Sequence, residues 1–179
     1  MTKKSIFYTL FCFLALGGCT QSKTNNLVGQ KAPEFSAKAL YPDGSVKEFK
    51  LSDYEGKKVV LYFYPADNTP GCSKQAQNFR DGIAKLEAEG ITLVGISCDS
   101  IEAHKRFQKK FNLPYILVSD SRLHRTIGKK FPGTISFGFY KRKTFLINEQ
   151  GIVFKRFDKI KIESQIDDIL AAFAEESQN

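Results

Sequence analysis

The sequence predicts an α/β layered fold in which helices cover a mixed central β-sheet. Continuous apolar runs rich in β-branched and aromatic residues alternate with segments of helical period, and a hairpin pattern followed by an amphipathic helix closes the chain. The composition permits such a fold. At 179 residues, 42% hydrophobic and 26% charged, the chain can bury one sizeable core and is neither a disordered tail nor a fibre.

The first residues read as a targeting segment. Lys3 and Lys4 precede an apolar run over Ile6 to Leu16, and small residues lead into Leu16-Gly17-Gly18-Cys19. The eleven-residue run is shorter than the roughly 20 residues a membrane-spanning helix needs. The Leu-Gly-Gly-Cys ending resembles a bacterial lipobox. It implies a signal peptide over 1–18 and Cys19 as the lipidated first residue of the mature chain; an ordinary signal peptide cut nearby is the plainer alternative. Residues 19–26, polar and without periodicity, then form a tether to a domain over 27–179. Removing 1–18 leaves 25 basic against 19 acidic residues, a charge of +6. The expected place is the cell envelope, lipid-anchored to a bacterial membrane and facing the periplasm or exterior.

Val59 to Tyr64 is a continuous apolar run, the pattern of a strand buried on both faces, and Pro65 stops it. After Thr69-Pro70-Gly71, Ala76, Phe79, Ile83 and Leu86 recur at helical spacing up to Gly90. Ile91 to Ser97 is a second buried strand, and Ser100 is placed to cap a helix over Ile101 to Phe111. A third strand covers Tyr115 to Val118. Thr144 to Ile147 and Ile152 to Phe157 pair around Asn148-Glu149-Gln150-Gly151. Ile162, Ile166, Ile169, Leu170 and Phe173 mark one face of a closing helix.

Four cysteines are too few for a disulfide scaffold, and His104 and His124 match no metal-ligand spacing. No metal and no cofactor are expected. The informative stretch is Tyr64 to Cys72, YPADNTPGC, where a cysteine follows a buried strand and opens a helix. Unpaired N–H groups and the positive end of the helix dipole favour a thiolate at such a position. In α/β folds this is also the sheet edge that carries the chemistry. A buried, inert cysteine is the bland alternative. Pro70-Gly71 before Cys72 and the polar Ser73-Lys74-Gln75 after it point instead to an exposed thiol.

At these residues the chain resembles the peroxiredoxins. Pro65-xxx-Thr69-xx-Cys72 matches their Pro-xxx-Thr-xx-Cys signature. FYPADNTPGC, Lys31-Ala32-Pro33-Glu34-Phe35 and Leu51-Ser52-Asp53-Tyr54 are similar to the Q-type, bacterioferritin-comigratory branch. The likeness covers about residues 27–174 and implies a thioredoxin-like fold that reduces hydrogen peroxide and organic hydroperoxides. It implies that Cys72 is the peroxidatic cysteine, that Thr69 sets its hydroxyl on the thiolate and the peroxide, and that Pro65 shields the sulfur. Arg142, flanked by Lys141 and Lys143, matches the family's charge-stabilising arginine. The partners implied are a peroxide, an external thiol reductant (a thioredoxin-like protein or a small thiol) and the membrane at Cys19, for a monomer or weak homodimer.

The chain departs from that branch at Gln77, which stands where many members carry a resolving cysteine. Cys98 remains as a candidate resolving residue. A right-handed crossover makes the strands before Cys72 and Cys98 parallel, with both cysteines on one rim. A disulfide needs Cα atoms within about 7 Å, however, and Cys72 is fixed on a helix start. A one-cysteine cycle is therefore expected. The rival reading is an envelope thioredoxin-fold module for metal delivery or thiol binding. It lacks a second cysteine near Cys72, and a cysteine hydrolase lacks a histidine tied to Cys72. The basic runs read as solvated faces, with no nucleic acid as partner.

Overall fold

The computed structural model describes residues 26–120 and 123–178. The expected signal peptide and Cys19 lie outside the described residues, as does nearly all of the tether. The strands are β1 Gln30–Lys31, β2 Ser36–Leu40, β3 Val46–Lys50, β4 Lys58–Phe63, β5 Ile91–Ser97, β6 Ile116–Ser119, β7 Ile135–Ser136, β8 Phe139–Tyr140, β9 Lys143–Ile147 and β10 Ile152–Phe157. The helices are α1 Pro70–Ala88, α2 Ile101–Phe111, α3 Thr126–Lys130 and α4 Gln165–Glu176. Among the described residues, the main sheet runs β1-β10-β9-β4-β5-β6-β2-β3, and β7 and β8 form a separate hairpin.

The centre of the sheet is mixed. β4 and β5 pair in parallel from Lys58↔Ile91 to Phe63↔Ile96, while β9 runs antiparallel to β4, setting Lys143 opposite Phe63. Alternation along β4 feeds both faces. Val60, Tyr62 and Tyr64 join Phe79, Leu86, Phe107, Ile169 and Phe173 on the face under α1, α2 and α4. Val59, Leu61 and Phe63 join Phe35, Phe49, Ile127, Phe131 and Tyr140 on the other. Such two-sided burial is why β4 and β5 read as unbroken apolar runs.

Local chemistry sets the element ends. α1 starts with Pro70, whose missing N–H costs nothing in a first turn. The Ser100 hydroxyl accepts from Ala103 N at 3.3 Å, and Asn112 ends α2 in the left-handed region. In the β9–β10 turn the Asn148 side chain accepts from Ile152 N at 2.9 Å. α1 and α4 cross at Gly82, where a Cβ would lie 2.7 Å from Ile166. The closing helix starts at Gln165, so Ile162 precedes it, a correction to the expected apolar face. The third strand is Ile116–Ser119, one residue later than its apolar run, with Tyr115 buried just outside it.

Phe79 is the keystone of the helical face. It is fully buried, with its ring 4.7 Å from that of Tyr62 and 6.3 Å from that of Tyr115. Phe79→Ala should destabilise the fold by about 3–5 kcal/mol in urea unfolding, the usual cost of such a cavity.

Candidate active site

The chain leaves β4 toward the edge where the parallel strands end. Tyr64 N still donates to Ile96 O at 3.1 Å, but Pro65 has no N–H with which to continue the ladder. Asn68, at φ +58°, turns the loop, and Thr69 is the extended residue before α1. The first turn of the helix closes with Ser73 N on Thr69 O at 2.8 Å. Cys72 therefore sits among the N–H groups that have no acceptor within the helix.

Cys72 is 3% exposed, which corrects the expectation of an exposed thiol. The polar residues after it mislead because only Lys74 faces solvent; Ser73 and Gln75 are buried between α1 and its neighbours. Arg142 enters from the link between β8 and β9. Its Nη2 lies 3.6 Å from Cys72 Sγ, and its Nη1 donates to Gln75 Oε1. Gln75 is held in turn: its Nε2 donates to Gln165 Oε1 at 3.0 Å, and Gln165 Nε2 donates back to Gln75 O at 3.2 Å. A Cβ on Gly71 would stand 3.1 Å from Arg142 Nη2, so glycine leaves the approach open. The two lysines beside Arg142 do not share its place. Lys141 is exposed, and Lys143 pairs with Asp158.

The other expected residues are placed as follows. Pro65 and Thr69 are half-buried, and the Thr69 hydroxyl donates to Ala66 O at 3.2 Å. Gln77 Nε2 donates to Ser73 O at 3.1 Å. Cys98 follows β5 on the rim that carries Cys72, but it packs against the opposite face of the sheet. Both cysteines are outside any disulfide. Among the described residues, no group of three or more His, Cys, Asp and Glu side chains could hold a metal.

Gln75, Asp67 and His104 were not foreseen. Gln75 stood three residues after Cys72, a spacing that puts both on one helix face, and that was its only signal. His104, fully buried on α2, sets Nδ1 2.8 Å from Asp67 Oδ2 and Nε2 3.3 Å from Val118 O. Tyr64 donates to the other Asp67 oxygen at 2.8 Å, and Asp67 N donates to Asp99 Oδ2 at 2.8 Å. Burial, and then the Asp67 carboxylate, push the Tyr64 phenol well above its ordinary range, so it stays a donor. These bonds fix the loop before Cys72 to α2 and to the ends of β5 and β6. No sequence spacing links Asp67 to His104; only the packing of α2 does.

Residues 28–156 match the AhpC/TSA family. The chain is 35% identical over 162 residues to peroxiredoxin Bcp of Bacillus subtilis, covering 84% of this chain and 97% of that protein. It is similar to the reduced 2-Cys peroxiredoxin of Plasmodium vivax, with TM-score 0.77, 27% identity, and coverage of 85% of this chain and 99% of the other. It is also similar to the bacterioferritin comigratory protein of Xanthomonas campestris, described for alkyl peroxide reduction, with TM-score 0.70, 26% identity, and coverage of 80% and 92%.

His104→Ala would leave Asp67 Oδ2 without its hydrogen bond to the imidazole, which typically costs about 1–3 kcal/mol for a buried polar group. The variant should unfold at lower urea and expose Cys72 to faster alkylation by iodoacetamide under native conditions. An unchanged alkylation rate would mean that the imidazole does not hold the loop.

Proposed function

We propose that this chain, which belongs to the AhpC/TSA family and is a peroxiredoxin, reduces hydrogen peroxide and organic hydroperoxides at Cys72 in a one-cysteine cycle. The observation that carries the assignment to Cys72 is a buried sulfur at a helix start with the Arg142 guanidinium 3.6 Å away. The Cys72 thiolate attacks the terminal peroxide oxygen. The S–O bond forms as the O–O bond breaks, sulfur is oxidised by two electrons to a sulfenic acid, and the other oxygen leaves and takes a proton from water. Arg142, clamped by Gln75, stabilises negative charge first on sulfur and then on the departing oxygen. Thr69 turns its hydroxyl from Ala66 O to the peroxide, and Pro65 limits water at the sulfur.

Reduction then falls to an external thiol, a thioredoxin-like protein or a small thiol. It attacks the sulfenic sulfur, releases water and forms a mixed disulfide, and a second thiol frees Cys72. Gln77 supplies no thiol, and the placement of Cys98 against the opposite sheet face disfavours a Cys72–Cys98 bridge. We further read the protein as lipid-anchored at Cys19 in the cell envelope, acting as a monomer or weak homodimer. Support for the anchor comes from Leu16-Gly17-Gly18-Cys19 and the polar residues after it.

Cys72→Ser should abolish peroxidase turnover, and full activity in that variant would end the assignment. Thr69→Val and Arg142→Ala should each slow the peroxide step by about 10²–10³-fold, or about 3 kcal/mol. One peroxide turnover without reductant, followed by non-reducing peptide mapping, should place a sulfenic acid on Cys72, and Cys98→Ser should still turn over repeatedly. A 72–98 disulfide would contradict the one-cysteine cycle. Cys19→Ala should lose acylation and membrane retention.

A further inference from the structure

The segment that connects β6 to β9 differs from the rest of the surface in both charge and exposed apolar area. Between Asp120 and Glu149 the sequence has seven Lys and Arg and no Asp or Glu. The bordering Asp120 does not offset that charge at the surface. It is 1% exposed and turned inward, accepting from Tyr140 OH and from Ile127 N and Gly128 N. The same segment holds the most exposed large hydrophobic residues among those described: Phe137 at 100%, Leu123 at 81% and Phe139 at 59%. Phe137 occupies the β7–β8 turn at φ +46°, a conformation bulky residues rarely adopt, and its ring packs on none of the described residues. Arg125 reaches the same turn, with Nη2 3.5 Å from where a Cβ on Gly138 would stand.

Topology places the two ends of this segment. β6 runs parallel to β5 and ends at Ser119 beside Ser97, and β9 begins at Lys143 opposite Phe63. The intervening residues therefore leave and re-enter the sheet at the rim that carries Cys72. We propose that this rim docks on an anionic lipid bilayer, with the Phe137 and Phe139 rings entering the headgroup boundary and Arg125, Lys129 and Lys141 meeting lipid phosphates. An exposed aromatic turn with Arg125 beside it, in a segment that has no Asp or Glu between Asp120 and Glu149, is complementary to a negatively charged, deformable surface. In sequence this segment is about a hundred residues from Cys19. Where one acyl chain is present, it would supply the second attachment that stable membrane residence needs.

The chain contains no Trp, so Phe137→Trp introduces a single local reporter. The control is Val46→Trp: Val46 pairs with Leu40, which lies beside Leu117, and so stands at the opposite end of the sheet. Both are made in the full chain, with and without Cys19→Ala, so that loss of the acyl anchor and loss of this contact can be told apart. On phosphatidylglycerol-containing vesicles, Trp emission at 137 should shift to the blue and be quenched by brominated acyl chains. It should not respond to pure phosphatidylcholine, and high salt should reverse the response. The reporter at 46 should stay unchanged, and Lys129→Glu with Lys141→Glu should weaken partitioning by about tenfold or more. No response at 137 on anionic vesicles, or an equal response at 46, would overturn the proposal. So would a shift at 137 that grows with protein concentration without lipid, which would mark a second copy as the occupant.

Discussion

One guanidinium beside one buried sulfur is the contact around which this molecule is arranged. Arg142 could not reach Cys72 if β9 did not run antiparallel to β4, because that pairing brings the start of β9 to the edge where the chain enters α1. Nor could it approach as closely if Gly71 carried a side chain. Gln75 and Gln165 hold the arginine from α1 and α4, so the closing helix, nearly a hundred residues from Cys72 in sequence, helps to set the charge beside it. Asp67 and His104 hold the loop on the other side.

Burial makes that contact decisive. A charge in a site with 3% exposure is stabilised little by water, so an ionised sulfur there depends on fixed donors. The helix start supplies unpaired N–H groups and Arg142 supplies a full positive charge. Both are in place in this structure, so on the proposed function little reorganisation is required as charge moves from sulfur to oxygen. Cys98 shares the rim but lies against the other side of the sheet. Two cysteines in one chain thus meet different environments, and strand alternation is what separates them.

The core of the fold was legible because burial writes itself into long patterns. β4, β5, α1 and α2 follow from apolar runs, helical spacing and the Ser100 cap. β2 and β3 were not legible: VKEFK buries only Phe49, and its remaining side chains belong to an exposed edge strand, where charges are expected. The two-residue strands β7 and β8 are too short to carry any period. In the site, Cys72, Thr69, Pro65 and Arg142 were singled out through a resemblance to a family, and of these the structure brings Arg142 to Cys72. The burial of Cys72 was misread because Ser73 and Gln75 looked like surface residues, yet both are buried, and Gln75 is polar because its side chain bonds Arg142 and Gln165 there. Gln75, Asp67 and His104 act through contacts between distant elements, which a one-dimensional pattern does not encode.

The central claim is that Arg142 acts as a positioned fork that holds Gln75 and the sulfur together, beyond its positive charge. The most direct test is the rate of sulfenic acid formation at Cys72 in a single turnover of Arg142→Lys. Lysine keeps the charge but cannot bridge the two partners. The rate should fall close to that of Arg142→Ala while urea stability stays near wild type. An Arg142→Lys protein that oxidises at the wild-type rate would contradict the claim.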